Sequence, residues 1–509
     1  MTQTPAPVLR LRGPSQARTQ RPATRDFRWP AVVAAVYTIV QLALAVPGTG
    51  LGWDETVYVS QVTPGADAAF FSAPRARGIT LLIAPLTAFT SSVEALRVYL
   101  ALLSGAGLFL ALWVWKRLLP ASVLAVAGAL FAGLWITVFY GPQAMPNLWV
   151  ALGALFTVGC FLRAARDPSD GTALIGLGAG VAFVALMRPT DAFWLAAPLA
   201  AVALCVRVWR HPVLLLVLAA GAAVGCAPWV VEAYVSYDGL LARLRRASEI
   251  QGHLGPHFAV DDQVRSLDGR SLCRPCDVPW KRPVTALWWF VLPLFVAGGC
   301  AAAMRTRRPS GILVPALTGL SLAVPYLLLI DYAAPRFLLP AYALLALPAA
   351  LCLTRIAAYA RPRPLVAVAL ALLLAGHLAI QYSVLDGAVS RNRANRLAFD
   401  RIAAELRLQG MRPPCAISGA EAIRIAFFTG CASRRTGGHD GSITPAGLVA
   451  LARDRPVAFV VTGESRPPSY ARGWRLTRLP DLPGHHNSRA YLAPTVRPAA
   501  TPGAGPGRD

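Results

Sequence analysis

Long apolar runs recur along this chain and constrain its fold more than any other feature. Stretches such as 97–115, 213–231 and 312–330 carry almost no charge. A helix needs about 20 apolar residues to cross the hydrocarbon core, where its backbone polar groups must bond to each other. Only 15% of all residues are charged, against about 25% in soluble domains. The pattern predicts a mostly α-helical, polytopic membrane bundle of about eleven spans.

The distribution of basic residues supports this count and predicts an orientation. Clusters lie at 116–117, 163–166, 207–210, 305–308 and 355–363. The short apolar stretch 78–90 is too short to cross easily, and we predict that it lies along the interface. With that stretch uncrossed, all five clusters fall on the same side as the basic N-terminus. The positive-inside rule makes that side cytoplasmic. The predicted spans are 31–46, 97–115, 122–139, 148–162, 173–187, 192–206, 213–231, 286–303, 312–330, 337–353 and 366–380.

Composition divides the chain into four parts. We predict a disordered basic cytoplasmic tail at 1–30, a transmembrane domain at 31–383, an extracytoplasmic α/β domain at 384–496 and a disordered Pro/Gly tail at 497–509. The third part is richer in Arg, Gly, Asp and Pro than the spans. Its local patterns predict helices and short strands, at 391–408 and 445–453 for helices and 415–417 and 457–461 for strands.

The net charge of +24 does not indicate a nucleic-acid partner. Many of the arginines lie in short clusters between apolar runs, where they set topology and contact anionic headgroups. No Walker loop or glycine-rich nucleotide fingerprint is present. The partner that this distribution indicates is therefore the membrane, and not nucleic acid.

The first loop predicted to face outward carries two adjacent acids, Asp54 and Glu55, beside Trp53 and Tyr58. One interpretation is an interfacial aromatic belt with solvated acids, because aromatic side chains favour this depth. The other is a general base at the membrane surface. Low dielectric raises the pKa of a carboxylate, and a nearby cation or metal restores its charge.

Arginines also occur on the outer side, against the positive-inside bias. Arg75 and Arg77 end the first outer loop, and Arg336 follows Asp331 at another outer span boundary. Outward guanidinium groups beside carboxylates indicate a site for an anionic group such as a phosphate. The alternative is a simple exposed ion pair between Arg75 and one of the two acids, which contributes little.

In this order, these motifs resemble the GT-C superfamily of glycosyltransferases that use polyprenyl-phosphate sugars. The resemblance is to the protein mannosyltransferase and aminoarabinose transferase branch, and it covers the spans up to about residue 381. It rests on Asp54-Glu55 in the first outer loop, then Pro74-Arg75, then Arg97 opening a span, then Arg336-Phe337-Leu338-Leu339-Pro340. The branch usually has Pro-Pro-Leu after a His or Lys, whereas this chain has Ala73-Pro74-Arg75.

The resemblance implies inverting sugar transfer from a polyprenyl phosphate to an acceptor protein, glycan or lipid on the extracytoplasmic side. Asp54 would be the base, and Glu55 would assist it or help Asp54 hold a divalent cation, the one cofactor left open. The residues implied in contacting the substrate and the lipid phosphate are Tyr58, Arg75, Arg77, Arg97 and Arg336.

A second set of residues is compatible with zinc by its spacing. His253 and His257 share an outer loop with Cys273 and Cys276. A disulfide is the alternative, which an oxidising compartment favours. Cys415 and Cys431 are a further pair that a disulfide could join, and the spacing leaves this open.

Two other functions remain as alternatives to the enzyme. A secondary transporter or lipid flippase should carry ionisable groups near the middle of its spans. Here such groups gather at the outer ends of the spans. An inactive membrane scaffold would keep the spans but tolerate loss of Asp54.

Overall fold

A computed structural model describes residues 27–497 except 275, 277–278, 361–362 and 485. The predicted tails therefore lie almost entirely outside the described residues. Of the N-terminal tail predicted at 1–30, the last residues already belong to the first helix, which begins at Arg28.

Eighteen α-helices make up most of the described chain. They are α1 (Arg28–Val40, continued by a π-helical turn at Gln41–Ala45), α2 (Trp53–Ser60), α3 (Gly78–Thr87), α4 (Val93–Trp113), α5 (Ala121–Ala132), α6 (Trp135–Tyr140), α7 (Pro146–Arg166), α8 (Gly171–Met187), α9 (Pro189–Cys205), α10 (Pro212–Ser236), α11 (Leu240–Ile250), α12 (Val260–Ser266), α13 (Leu287–Met304), α14 (Ser310–Leu328), α15 (Leu339–Ala360), α16 (Pro364–Leu408), α17 (Ala422–Thr429) and α18 (Pro445–Asp454).

The chain is a multi-pass membrane protein. Among the residues that the structure describes, eight helices are long and apolar enough to span a membrane, namely α1 with its π-helical turn, α4, α7, α10, α13, α14, α15 and α16. The other three predicted spans correspond to the shorter apolar helices α5, α8 and α9, so the count of about eleven stays a prediction. Helix α3 covers the stretch that we predicted to be too short to cross.

Basic loops meet at one end of the bundle, which we call the basic end. Arg117 and Arg163 both approach Asp170, with nitrogen–oxygen distances of 3.9 and 2.7 Å. Arg166 donates a hydrogen bond to Ser310 Oγ over 3.2 Å. The loops after α4, α7 and α13 therefore share this end, as the positive-inside pattern requires. Its cytoplasmic placement stays a prediction.

The predicted small C-terminal α/β part is confirmed. Its five strands are β1 (Ala416–Gly419), β2 (Ala432–Ser433), β3 (Val457–Val461), β4 (Arg475–Arg478) and β5 (Arg489–Leu492), in the sheet order β2-β1-β3-β5-β4. Strands β2, β1 and β3 are parallel, and β5 pairs antiparallel with β3 and β4. We call this part, with α17 and α18, the sheet domain.

Helix α16 joins the bundle to the sheet domain without a break. It runs for 45 residues and continues through the boundary that we predicted after residue 383. Its last turns contribute Phe399, Ile402 and Leu406 to the core of the sheet domain. The two parts therefore share one rigid helix at their junction, and the extracytoplasmic placement of the sheet domain stays a prediction.

Both pairs of cysteines in the segments predicted to lie outside form disulfides. Cys415 is bonded to Cys431, which ties the residue before β1 to the residue before β2. Cys273 is bonded to Cys276. The second bond removes both thiolates from the arrangement that we considered for zinc, because only a free thiolate binds the metal.

Helices α8 and α10 approach each other closely through small residues. Gly221 and Gly225 lie four residues apart on α10, a spacing that lets the backbones of membrane helices touch. A Cβ atom on Gly221 would lie 2.6 Å from the carbonyl oxygen of Gly178, and one on Gly225 would lie 2.6 Å from Ala185 Cβ. No side chain fits at either position without separating the helices.

Replacing Gly225 by alanine should destabilise the bundle. Its methyl group would clash with α8, and overpacking of this kind costs about 1–3 kcal/mol. Gly376→Ala on α16 is the matched control, since no described atom lies within 4 Å of a Cβ there. Thermal melting of the two purified proteins should show a lower midpoint for Gly225→Ala alone, and equal midpoints would contradict this packing.

Candidate active site

The first acid-bearing loop folds into the short helix α2, which Gly52 caps. The backbone of Gly52 is extended, at φ −73° and ψ 172°. Its N–H donates to Glu55 Oε2 over 2.8 Å, and its carbonyl oxygen accepts from Thr56 Oγ1 over 2.8 Å. Asp54 therefore lies in the first helical turn, where the helix dipole stabilises negative charge.

Glu55 points away from solvent into a buried ion pair. Its two oxygens accept from Arg97 Nη1 and Nη2 at 2.5 and 2.8 Å, and each side chain is 1% exposed. The N–H groups of Gly52 and Ala144 donate to the same carboxylate over 2.8 and 2.7 Å. Four donors fill the four acceptor positions of a carboxylate. The prediction that Glu55 assists the base or holds a metal does not fit this geometry.

Arg97 has a structural position, not the lipid-contacting one that we predicted. Besides Glu55, it donates to the carbonyl oxygens of Gly50 and Pro142 over 2.5 and 2.8 Å. It thereby joins α4 to the loop after α1 and to the loop before α7. A guanidinium enclosed by these acceptors has no exposed surface at which a phosphate can bind.

Asp54 lies between two guanidinium groups and remains open to solvent. Its Oδ1 is 2.9 Å from Arg75 Nη2, and its Oδ2 is 3.1 Å from Arg336 Nη2. The side chain of Asp54 is 36% exposed, whereas those of Arg75 and Arg336 are about one-tenth exposed. The structure thus brings together three residues that the sequence placed in separate loops, and it leaves the carboxylate accessible.

The two arginines determine the charge of Asp54. Desolvation acts to raise the pKa of this carboxyl, but the positive charges of Arg75 and Arg336 outweigh it and hold the pKa below its ordinary value. Asp54 is therefore ionised at neutral and mildly acidic pH. Burial raises the pKa of Tyr58, which packs edge-on against Phe71 with ring centroids 5.9 Å apart.

Arg336 is held at the start of α15 by groups that the sequence did not single out. It lies in a 3-10 turn, Pro335–Leu338. Its Nη1 donates to the carbonyl oxygen of Ser271 over 2.7 Å and approaches the Tyr140 hydroxyl at 3.5 Å. This anchoring fixes the guanidinium on the far side of Asp54 from Arg75.

Asp440 of the sheet domain completes the site, and the sequence analysis missed it. Its Oδ1 accepts from Arg75 Nη1 over 3.0 Å, and its Oδ2 accepts from Trp53 Nε1 over 3.2 Å. The side chain of Asp440 is 10% exposed, and Arg435 approaches it at 3.7 Å. The one local signal is an acid between glycines in a loop, Gly438 to Gly441.

Arg77 does not reach Asp54. It donates to Glu232 Oε1 over 3.0 and 2.5 Å and to Gln61 over 2.9 Å, with its guanidinium 3.9 Å from the centroid of the Phe71 ring. Glu232 also accepts from the fully buried Arg243 over 2.8 Å. Arg77 therefore belongs to a network that holds the end of the first loop.

Arg243 fixes the backbone that carries Arg75. It donates to the carbonyl oxygens of Ala73 and Arg75 over 3.1 and 3.0 Å, and to that of Trp229 over 2.7 Å. Across the described ranges, no group of three or more His, Cys, Asp or Glu is arranged to hold a metal ion.

The helical bundle and its attached sheet domain share their fold with solved structures of membrane proteins, in line with the fold that the sequence predicted. No protein-family model and no curated protein matches the chain. ArnT from Cupriavidus metallidurans bound to undecaprenyl phosphate is similar in structure, with a TM-score of 0.67 and 13% identity over 93% of this chain and 99% of that one. The archaeal oligosaccharyltransferase AglB from Archaeoglobus fulgidus, in complex with an inhibitory peptide and a dolichol-phosphate, has a TM-score of 0.50 and 14% identity over 85% and 69%.

Neutralising Glu55 should damage folding much more than neutralising Asp54. Glu55→Gln leaves Arg97 charged and buried, and breaking such a pair costs about 3–5 kcal/mol. Asp54→Asn changes a partly exposed side chain, and Arg75 keeps its contact with Asp440. Melting of the purified variants, followed by tryptophan fluorescence, should show a large decrease for Glu55→Gln alone. Similar midpoints would refute the structural assignment of Glu55.

Proposed function

We propose that this protein is a membrane glycosyltransferase that moves a sugar from a polyprenyl phosphate carrier to a hydroxyl acceptor on the extracytoplasmic side. The fold is that of ArnT, whose structure holds undecaprenyl phosphate, and of AglB, whose structure holds a dolichol-phosphate. The observation that carries the proposal is Asp54, an accessible carboxylate held between two anchored guanidinium groups.

The arrangement suits a single displacement at the anomeric carbon. Asp54 takes the proton of the acceptor hydroxyl, whose oxygen bonds to the anomeric carbon from the face opposite the phosphate. The bond from that carbon to the phosphate oxygen breaks, its electron pair stays on the phosphate, and the configuration inverts. A carboxylate with a low pKa suffices as base, because the hydroxyl becomes acidic as its oxygen bonds to the sugar. Arg75 and Arg336 stabilise the charge that develops on the leaving phosphate.

A large apolar cavity offers space for the lipid tail. It has a volume of about 760 Å³ and lies between α13, α15 and α16. Its lining includes Trp288, Tyr342, Leu373 and His377. Tyr342 follows Arg336 by six residues, which on a helix places it about 9 Å further along the axis. An isoprenoid chain in this cavity would bring its phosphate toward Arg336.

The remaining predicted residues take supporting roles in this proposal. Glu55 and Arg97 hold the helix that presents Asp54, and Arg77 holds the segment that presents Arg75. Tyr58, on α2, lies close enough to Asp54 and Arg75 for their charges to act on its hydroxyl group. The transmembrane part, 31–383, forms the catalytic domain, and the sheet domain within 384–496 covers the site from outside through Asp440.

Asp54→Asn should abolish sugar transfer without loss of folded protein. The amide has the shape of the carboxylate but cannot accept the proton of the acceptor. Membranes containing either protein are supplied with radiolabelled polyprenyl-phosphate sugars, and label entering the acceptor fraction is counted. Arg246→Gln, an exposed arginine paired with Glu249 at 2.9 Å, is the control that should retain transfer. Full transfer by Asp54→Asn would overturn the assignment of the base.

The pH dependence of transfer should move when one of the flanking arginines is removed. Transfer requires ionised Asp54, so it is lost as the pH falls through the lowered pKa of this group. Arg336→Gln removes one cause of the lowering, so the pKa rises and activity is lost at a higher pH. Profiles of kcat/KM against pH should show this shift of the acidic limb in Arg336→Gln and none in Arg246→Gln. An unmoved limb would show that another group controls it.

A further inference from the structure

Arg188 is a partly buried arginine at the site end of the bundle that the proposed chemistry has not used. It precedes Pro189 at the start of α9, with an extended backbone at φ −156° and ψ 101°. Its side chain is 16% exposed, and its Nε lies 3.2 Å from Asp191 Oδ2. Asp191 is 1% exposed, and its Oδ1 accepts from the Tyr326 hydroxyl over 2.5 Å.

Two aromatic rings hold the guanidinium of Arg188 in place. Its carbon lies 5.5 Å from the centroid of Tyr326 and 5.7 Å from that of Phe337. These two rings stack on each other at 4.9 Å. The guanidinium carbon of Arg336 is 5.4 Å from the same Phe337 ring. Arg188 therefore contacts the same ring as the arginine that holds Asp54.

Arg188 differs from Arg75 and Arg336 in the hydrogen-bond partners of its terminal nitrogens. The terminal nitrogens of Arg75 are bonded to Asp54, Asp440 and Ser72. Those of Arg336 are bonded to Asp54 and to the Ser271 carbonyl oxygen. In the described part of the chain, Arg188 has one charged partner, which it meets through Nε. Its two terminal NH₂ groups have no protein acceptor there.

The positive charge of Arg188 acts electrostatically on residues of the site. It contributes, with Arg75 and Arg336, to the low pKa of Asp54, and it also acts on Tyr58. An anion bound at its terminal nitrogens would therefore lie near the base. The alternative anchors, Arg75 and Arg336, already bind carboxylate oxygens, which would repel an incoming phosphate.

We propose that Arg188 binds the phosphate of the lipid-linked donor through its two terminal NH₂ groups. The proposal rests on the proposed function and deepens it. A guanidinium fork matches two phosphate oxygens, and stacking on aromatic rings orients it before the ligand arrives. When the bond from sugar to phosphate breaks, the added negative charge falls on oxygens that Arg188 already holds. Arg75 and Arg336 stabilise the same developing charge through their electric field, because their terminal nitrogens stay bonded to Asp54 and Asp440.

A purely structural role predicts a different behaviour. If Arg188 served only to neutralise buried Asp191, removing both charges together would restore whatever Arg188→Gln loses. If Arg188 binds phosphate, the double variant Arg188→Gln/Asp191→Asn stays defective. Arg188→Lys keeps the positive charge beside Asp191 but loses the two terminal NH₂ groups. It therefore distinguishes the effect of the charge from the effect of the guanidinium geometry.

The experiment measures binding to the full-length protein in nanodiscs, with no turnover required. The probes are a fluorescent polyprenyl phosphate, the matching polyprenol and inorganic phosphate as competitor. We expect Arg188→Gln to weaken binding of the lipid phosphate about tenfold or more, the effect of losing a hydrogen bond to a charged group. Arg188→Lys should weaken it several-fold, and the double variant should remain as weak as Arg188→Gln. Arg117→Gln, an exposed arginine at the basic end, should bind as the wild type does.

Each outcome decides the matter. Wild-type protein that binds polyprenyl phosphate no better than polyprenol would overturn the proposed function, and this inference with it. Wild-type binding with equal affinity in Arg188→Gln, or recovery in the double variant, would overturn the role of Arg188 alone. If Arg188→Gln does not fold, an unchanged affinity in Arg188→Lys overturns it instead. Competition by inorganic phosphate at the affinity of the lipid would also overturn it, because the site would then bind a free anion and not the lipid-linked donor.

Discussion

The buried pair of Glu55 and Arg97 is the interaction on which the rest of the site depends. Burying two charges costs several kcal/mol per ion before their attraction offsets it. Here the cost is offset by four hydrogen bonds to the carboxylate and by two backbone carbonyl oxygens that accept from the arginine. As a result, three separate segments meet at this ion pair: helix α4, the loop after α1 and the loop before α7. Asp54 precedes Glu55 on α2, so the ion pair also fixes the position of Asp54 relative to Arg75 and Arg336.

Almost all basic residues of the chain are arginines, and the contacts in the site show what arginine can do there that lysine cannot. Of 49 basic residues, only Lys116 and Lys281 are lysines. A planar group with several donors can join carbonyl oxygens, as Arg243 does, or hold two carboxylates at once, as Arg75 does. An ammonium is a point charge without this fixed fork. Near a low-dielectric boundary, where each unpaired polar group is costly, this capacity lets a few side chains hold several loops.

Much of the fold and part of the site followed from the sequence, for a physical reason. Hydropathy and basic clusters report on the bilayer, so they indicate which span ends share a membrane face. Asp54, Arg75 and Arg336 all lie at such ends, and their convergence could be expected. Residue chemistry alone could not separate Asp54 from Glu55, since both are carboxylates, and only the resemblance named Asp54 as the base. Their directions differ by about 100° on a helix. As a result, Asp54 faces solvent between its two arginines and Glu55 faces the core.

Other members of the site were hidden because their partners are distant along the chain. Asp440 reaches Arg75 from a different domain, and nothing local to either residue reports that contact. Arg188 is visible in the sequence as a further arginine at a predicted outer span end, followed by Pro189. Its contact with Phe337, the ring that Arg336 also contacts, is visible only in the structure. Around the base the structure assembles four guanidinium groups, those of Arg75, Arg188, Arg336 and Arg435, against the carboxylates of Asp54, Asp191 and Asp440. Within this set, the terminal nitrogens of Arg188 are the ones that meet no carboxylate. A sugar-linked lipid phosphate is a diester with a single negative charge, and its oxygens would find donors there in surroundings where an unpaired charge is costly.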